Sequence, residues 1–142
     1  IPLPTIVNHV CPVPIFNPSE KVLELFNILA QPLIVNTEKE LHTIWTLTCL
    51  ISPYYDLMST LSEWSVNNSV DKSLADKYVA DMFNSLAFAA SNSNNPDFDS
   101  LSNHAATPGG LNEKAAAEIS DGGAHSAYTD AANGVLRMFG ER

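Results

Sequence analysis

The stretch from Thr37 to Asn67 constrains this chain more than any other. It opens with Thr37-Glu38-Lys39-Glu40, a capping box in which threonine and glutamate satisfy free amides at a helix start. Read as one helix it extends roughly 46 Å at about 1.5 Å per residue. Leu41, Ile44, Trp45, Leu47, Leu50, Ile51, Tyr54, Tyr55, Leu57, Met58 and Leu61 fall on nearly every side of it. A helix that is apolar all round has to be buried all round. One chain of 142 residues rarely supplies that much cover. A second copy is therefore expected to supply the rest. Pro53 is expected to kink or divide the run, because its ring crowds the turn before it and one backbone hydrogen bond is lost.

The remaining elements read in order. Prolines crowd the opening, so IPLPTIV and CPVPIF are expected as short extended segments. Asn17-Pro18-Ser19-Glu20 predicts a helix start with Asn17 as cap, followed by Val22, Leu25, Phe26 and Leu29 on one face. Pro32 is expected to end that helix before a brief LIV strand. A further helix is predicted over about 71–90, then an exposed SNSNNPD loop, then a short helix over 97–106 with Phe98 and Leu101 inward. Asp121-Gly122-Gly123 is a stop signal. A last helix over about 125–139 is expected to bury Tyr128, Ala131, Ala132, Val135 and Phe139. There is no internal repeat.

Sixteen acids against seven bases give a net charge of −9, with the acids scattered. No basic stripe exists to displace counterions, which argues against nucleic acid or an anionic membrane as partner. No apolar run is long enough for a membrane span, and no signal peptide is evident. Two cysteines, Cys11 and Cys49, make no disulfide framework, and a reduced cytoplasmic chain is the simpler expectation. The first residue is Ile1, which suggests that sequence precedes it. All six glycines lie at 109, 110, 122, 123, 134 and 140. A dinucleotide fingerprint or a phosphate loop needs glycines at its turn, so neither motif is expected here and no cofactor is assigned to these residues.

The glycines concentrate attention on Thr107-Pro108-Gly109-Gly110-Leu111-Asn112. LNEKAAAEI follows the glycine pair and is rich in helix formers, so the pair is expected at a helix N-terminus. Free amides and partial positive charge collect there. Such a cradle can hold a carboxylate, a gain of roughly 0.3–1 kcal/mol at an exposed terminus. The same residues also suit a plain turn between two helices. His104 stands three residues before Thr107, either as a cation for that carboxylate or as a histidine favoured at a helix C-terminus. The four histidines are too scattered for a metal site, and none is assigned. Cys49 in an apolar run is a poor nucleophile. Asp97/Asp99 and Glu38/Glu40 flank helix starts, where capping is their expected work. No catalytic acid or base is assigned.

TPGGLNE, read with the helices around it, resembles the SPGGTT-type loop of the pyrroline-5-carboxylate reductase family. Ser52-Pro53-Tyr54-Tyr55 falls where that family has SGSGPAY, keeping the proline and the final tyrosine. Ile1-Pro2-Leu3-Pro4 falls where the family has an MPNTP-like strand end. Leu3-Pro4, Leu50 and Leu111-Asn112 depart from it. The resemblance implies a mainly α fold: a helical dimerisation domain of the pyrroline-5-carboxylate reductase or 6-phosphogluconate dehydrogenase C-terminal type. It implies that residues 1–36 are a strand–helix–strand remnant of an α/β nucleotide-binding domain and that residues 37–142 form the helical domain. It further implies a homodimer, a small carboxylate-bearing substrate bound by Thr107–Asn112 and His104, and NADP or NAD in the full-length protein. The reaction implied is hydride transfer to a cyclic imine. The departures leave two alternatives: a dimerisation module without chemistry, and a related reductase with another substrate or redox partner.

Overall fold

A computed structural model describes residues 3–92 and 96–140. Two units pack separately, Ile1–Cys49 with Ala131–Arg142, and Leu50–Asp130.

In the first unit, β1 (Pro12–Phe16) and β2 (Gln31–Val35) pair in parallel, joined by α1 (Glu20–Leu29). The Gln31 amide donates to the Cys11 carbonyl at 2.9 Å. Since backbone groups alternate along a strand, Cys11, Val13 and Ile15 face β2 while Pro12 and Pro14 face away. Pro32 likewise lies off the ladder. All three prolines therefore sit where no donor is missed, which is how so proline-rich a segment makes a sheet. α2 (Glu38–Thr46) packs on both strands. Its capping box forms as expected: the Glu40 amide donates to Thr37 Oγ1 at 3.1 Å, and Glu40 Oε2 accepts the Asn36 amide at 2.7 Å. His42 stacks on Phe139 with ring centroids 5.0 Å apart.

Three expectations for this unit need correcting. The segment after Leu3 is not extended but a 3-10 turn, Pro4–Asn8, since the proline φ suits a helical first turn as well as a strand. Asn17 does not cap α1. It takes φ 47° before Pro18, and the Ser19 hydroxyl caps instead, accepting the Val22 amide. Pro32 falls inside β2; α1 ends at Leu29.

The long run is divided, but ahead of Pro53 rather than at it. α2 gives way to a 3-10 turn, Leu47–Leu50, and α3 (Ile51–Asn67) begins with Pro53 in its first turn. The proline ring crowds the Cys49 carbonyl four residues back, so the regular helix stops there and restarts. In the second unit α3 and α4 (Lys72–Ser91) form an antiparallel hairpin, closed by Ser69 at φ 71° and the Asp71 cap. Ala75 and Val79 are buried, and Tyr54 meets Phe83 edge-on. α5 (Phe98–Ala105), α6 (Leu111–Asp121) and the start of α7 (Ala124–Gly140) follow. Of the SNSNNPD loop, residues 93–95 lie outside the described residues.

Cover is thin. Among the described residues the only buried hydrophobic ones are Cys11, Ala30, Val35, Ala75 and Val79. Every residue of α6 from Leu111 to Ser120 is exposed. Phe98 and Leu101, expected inward, are 65% and 42% exposed. Tyr128 and Ala131 are exposed too, while Ala132, Val135 and Phe139 are half-buried. Helical periodicity places these residues on apolar faces, and among the described residues those faces stay largely open. Among the described residues no helix is long and apolar enough to cross a membrane.

Candidate functional site

Thr107 to Gly110 form a tight turn between α5 and α6. The Gly110 amide donates to the Thr107 carbonyl at 2.8 Å, closing a four-residue turn with Pro108 and Gly109 at its centre. Gly109 takes φ 71°. Proline before a residue of positive φ is the pattern of a type II turn, and glycine meets its third position without steric cost. Gly110 is fixed by a different constraint. A Cβ there comes 2.8 Å from the Thr107 carbonyl and closer still to its Oγ1. Gly110 is also the N-cap of α6, with no side chain of its own to cap it.

The turn is braced from inside the helix. Glu113 sits in the first turn of α6, and its Oε2 accepts the Gly109 amide at 2.7 Å. The turn is thus tied to the helix by an acid placed where the helix end carries partial positive charge. Asn112 reaches the other way, donating Nδ2 to the Ala105 carbonyl at 3.0 Å and so satisfying a free carbonyl at the end of α5. Leu111 points into solvent, 87% exposed.

Of the sequence-derived residues, the structure brings Thr107, Pro108, Gly109, Gly110 and Asn112 into one hydrogen-bonded unit. His104 belongs to the last turn of α5, and its Nδ1 is engaged one turn back, 2.8 Å from the Ser100 carbonyl and 3.2 Å from Ser100 Oγ. Its described bonds do not reach the turn. Glu113 is the residue that sequence reading passed over. The signal was available: an acid three residues after the expected N-cap is the far half of a capping box. Asp97 caps α5, accepting the Ser100 amide at 2.9 Å. Among the described residues no three His, Cys, Asp or Glu side chains gather as a metal site. An open depression of about 320 Å³ lies elsewhere, between Glu38, His42, Thr43, Leu136 and Phe139.

Helices whose apolar faces lack cover, one of them opening on a rigid glycine turn, define a helical dimerisation domain. The chain belongs to the pyrroline-5-carboxylate reductase dimerisation family, whose profile matches residues 38–141. Solved structures agree in fold. A pyrroline-5-carboxylate reductase from Coxiella burnetii superposes with TM-score 0.82 at 16% identity, covering 99% of this chain and 55% of that one. The Plasmodium falciparum pyrroline carboxylate reductase, with NADP bound, gives 0.78 at 14% identity over 97% of this chain and 58% of its own. The 1-pyrroline-5-carboxylate reductase of Streptococcus pyogenes gives 0.78 at 16% identity, with 97% and 56% covered. The chain thus spans a little over half the length of these enzymes. No curated protein matches the sequence at a significant level.

Proposed function

We propose that this chain is the dimerisation and substrate-binding part of an NAD(P)-dependent reductase that delivers hydride to a small cyclic imine bearing a carboxylate. The family match over residues 38–141 carries this reading. In it, residues 1–36 close a nucleotide-binding α/β domain and residues 37–142 form the helical domain of a cytoplasmic homodimer. NADP or NAD supplies the hydride when bound, held by a nucleotide-binding part and not by the residues of this chain. The turn from Thr107 to Asn112 holds the substrate carboxylate through first-turn amides of α6, with His104 as its cationic neighbour once its bond to Ser100 is released. What these residues contribute is orientation, fixing the imine carbon for hydride delivery.

Support for the turn as the carboxylate site comes from its build: a glycine at positive φ, a second glycine that admits no Cβ, and a helix start behind them. The test is NADPH-dependent reduction of pyrroline-5-carboxylate by the full-length protein. Gly109→Val and Gly110→Val are expected to raise KM with little change in the dimer; unchanged KM in both returns the segment to a plain turn.

A second reading, a dimerisation module without chemistry, is favoured by one observation. The Gly109 amide is already taken by the protein's own Glu113. Full-length protein that forms dimers but reduces no imine at any NADPH concentration supports this alternative.

A further inference from the structure

The prolines that spare the β1–β2 ladder strip the outer edges of the same sheet. Outward positions are Pro12, Pro14 and Phe16 on β1, and Pro32 and Ile34 on β2 with Asn36 just beyond it. Proline has no amide, so β1 offers outward only that of Phe16. On β2 Pro32 offers none, and the Asn36 amide is held by Glu40 Oε2 at 2.7 Å. Ile34 alone keeps an outward donor there. A strand added to either edge needs a donor and an acceptor at each outward residue, in parallel as in antiparallel pairing. Its own carbonyls would face proline rings or a spent amide, and carbonyls left without partners inside a sheet are costly. Prolines on an edge are one of the ways sheets are kept from pairing with other strands. We infer that Pro12, Pro14, Pro32 and the Glu40 clamp on Asn36 close both edges of this sheet, so that two strands are its full width in the whole protein as well. A nucleotide-binding part then joins this unit through side-chain packing and chain connection, not by continuing the ladder. The inference stands on the edge chemistry alone and adds to the proposed function the manner in which the two parts are joined.

The experiment is residue-resolved amide hydrogen exchange on the full-length protein, repeated on a variant carrying Pro12→Val and Pro14→Val. In the parent the inward amides of Val13, Ile15 and Leu33 are expected to exchange slowly, and those of Phe16 and Ile34 about a hundredfold faster. Slow exchange at Phe16 or Ile34 means that a strand is paired there and overturns the inference. The variant regains two outward donors on β1 and leaves the inward bonds untouched. With Val13 and Leu33 still slow, its mass by light scattering is expected to rise at least about twofold over the parent as copies pair along the opened edge. An unchanged mass overturns the role of Pro12 and Pro14. A variant that loses the slow inward amides has not folded, and exchange in the parent then decides alone. NADPH-dependent imine reduction by the same parent sample separates this inference from the proposed function. Active protein with slow Phe16 or Ile34 amides overturns the closed sheet only, and inactive protein with fast ones overturns the reductase reading only.

Discussion

Ser62 on α3 donates its hydroxyl to Asp76 on α4 at 2.5 Å, the one side-chain bond described between these helices. Ser62 is buried at 2% exposure, and the same carboxylate oxygen receives Lys72 one turn back on α4. The Lys72 bond foremost, then the Ser62 bond, holds the Asp76 carboxyl below its ordinary value of 3.8.

A depressed carboxyl pKa fixes the sign of the pH dependence. The stabilisation from Asp76 is fully present above the ordinary value and is lost as pH falls through the depressed one. Asp76→Asn is expected to melt lower at neutral pH and to show a flatter acid limb than the parent. Thermal melts across that range check it. A parent and variant whose curves stay parallel into acid would show that the bond contributes nothing.

Gly109 and Gly110 fail differently when substituted. Gly109→Ala has open space but puts a Cβ at positive φ, a cost of about 1–2 kcal/mol. Gly110→Ala drives a Cβ against the Thr107 carbonyl and hydroxyl, and the turn has to shift, at about 1–3 kcal/mol. Thr107→Ala combined with Gly110→Ala is expected to recover only part of that loss, because the carbonyl contact remains. Urea unfolding of the three variants measures the difference.

How far the sequence could be read is clearest at these same places. Helix positions, the Thr37 capping box and the glycine pair at a helix start all follow from local rules that act within one turn of chain. The split before Pro53 was visible in kind, since one proline forbids a regular helix through Cys49. Its position was missed by attending to the proline itself rather than to the carbonyl four residues earlier. Pro4 and Asn17 misled because proline and asparagine each suit two backbone states, and neighbouring packing chooses. The inward positions of Phe98 and Leu101 were misjudged for a different reason. Periodicity gives the face, whereas burial depends on what lies opposite, and among the described residues Phe98, Leu101 and α6 from Leu111 to Ser120 stay exposed.

Cofactor binding tests the division of labour proposed for the full-length protein. No glycine precedes Gly109, so no dinucleotide fingerprint is available in the strand–helix–strand opening. Titration of this chain with NADPH is expected to give no saturable heat or fluorescence change at micromolar concentrations. Micromolar binding would relocate the cofactor site into these residues.

Dimerisation follows from the exposed faces. Leu57, Tyr54, Tyr55 and Trp64 on α3 are 38%, 40%, 62% and 65% exposed, and Leu74, Tyr78 and Leu86 on α4 each exceed 60%. Monomers rarely leave contiguous apolar patches beyond about a few hundred Å² open. A two-fold partner can bury such faces together, in an interface of the obligate kind above about 2,000 Å². Light scattering is expected to report about twice the 15.4 kDa chain mass at micromolar concentration. Each chain carries −9, so association works against like charge and is expected to tighten as salt rises to about 0.15 M, where screening acts over about 8 Å. Leu57→Asp or Leu61→Asp puts a charge on the apolar face of α3 that a partner would cover, and folding is expected to fail along with pairing. A stable 15.4 kDa monomer, from the parent or from either variant, would refute an obligate dimer.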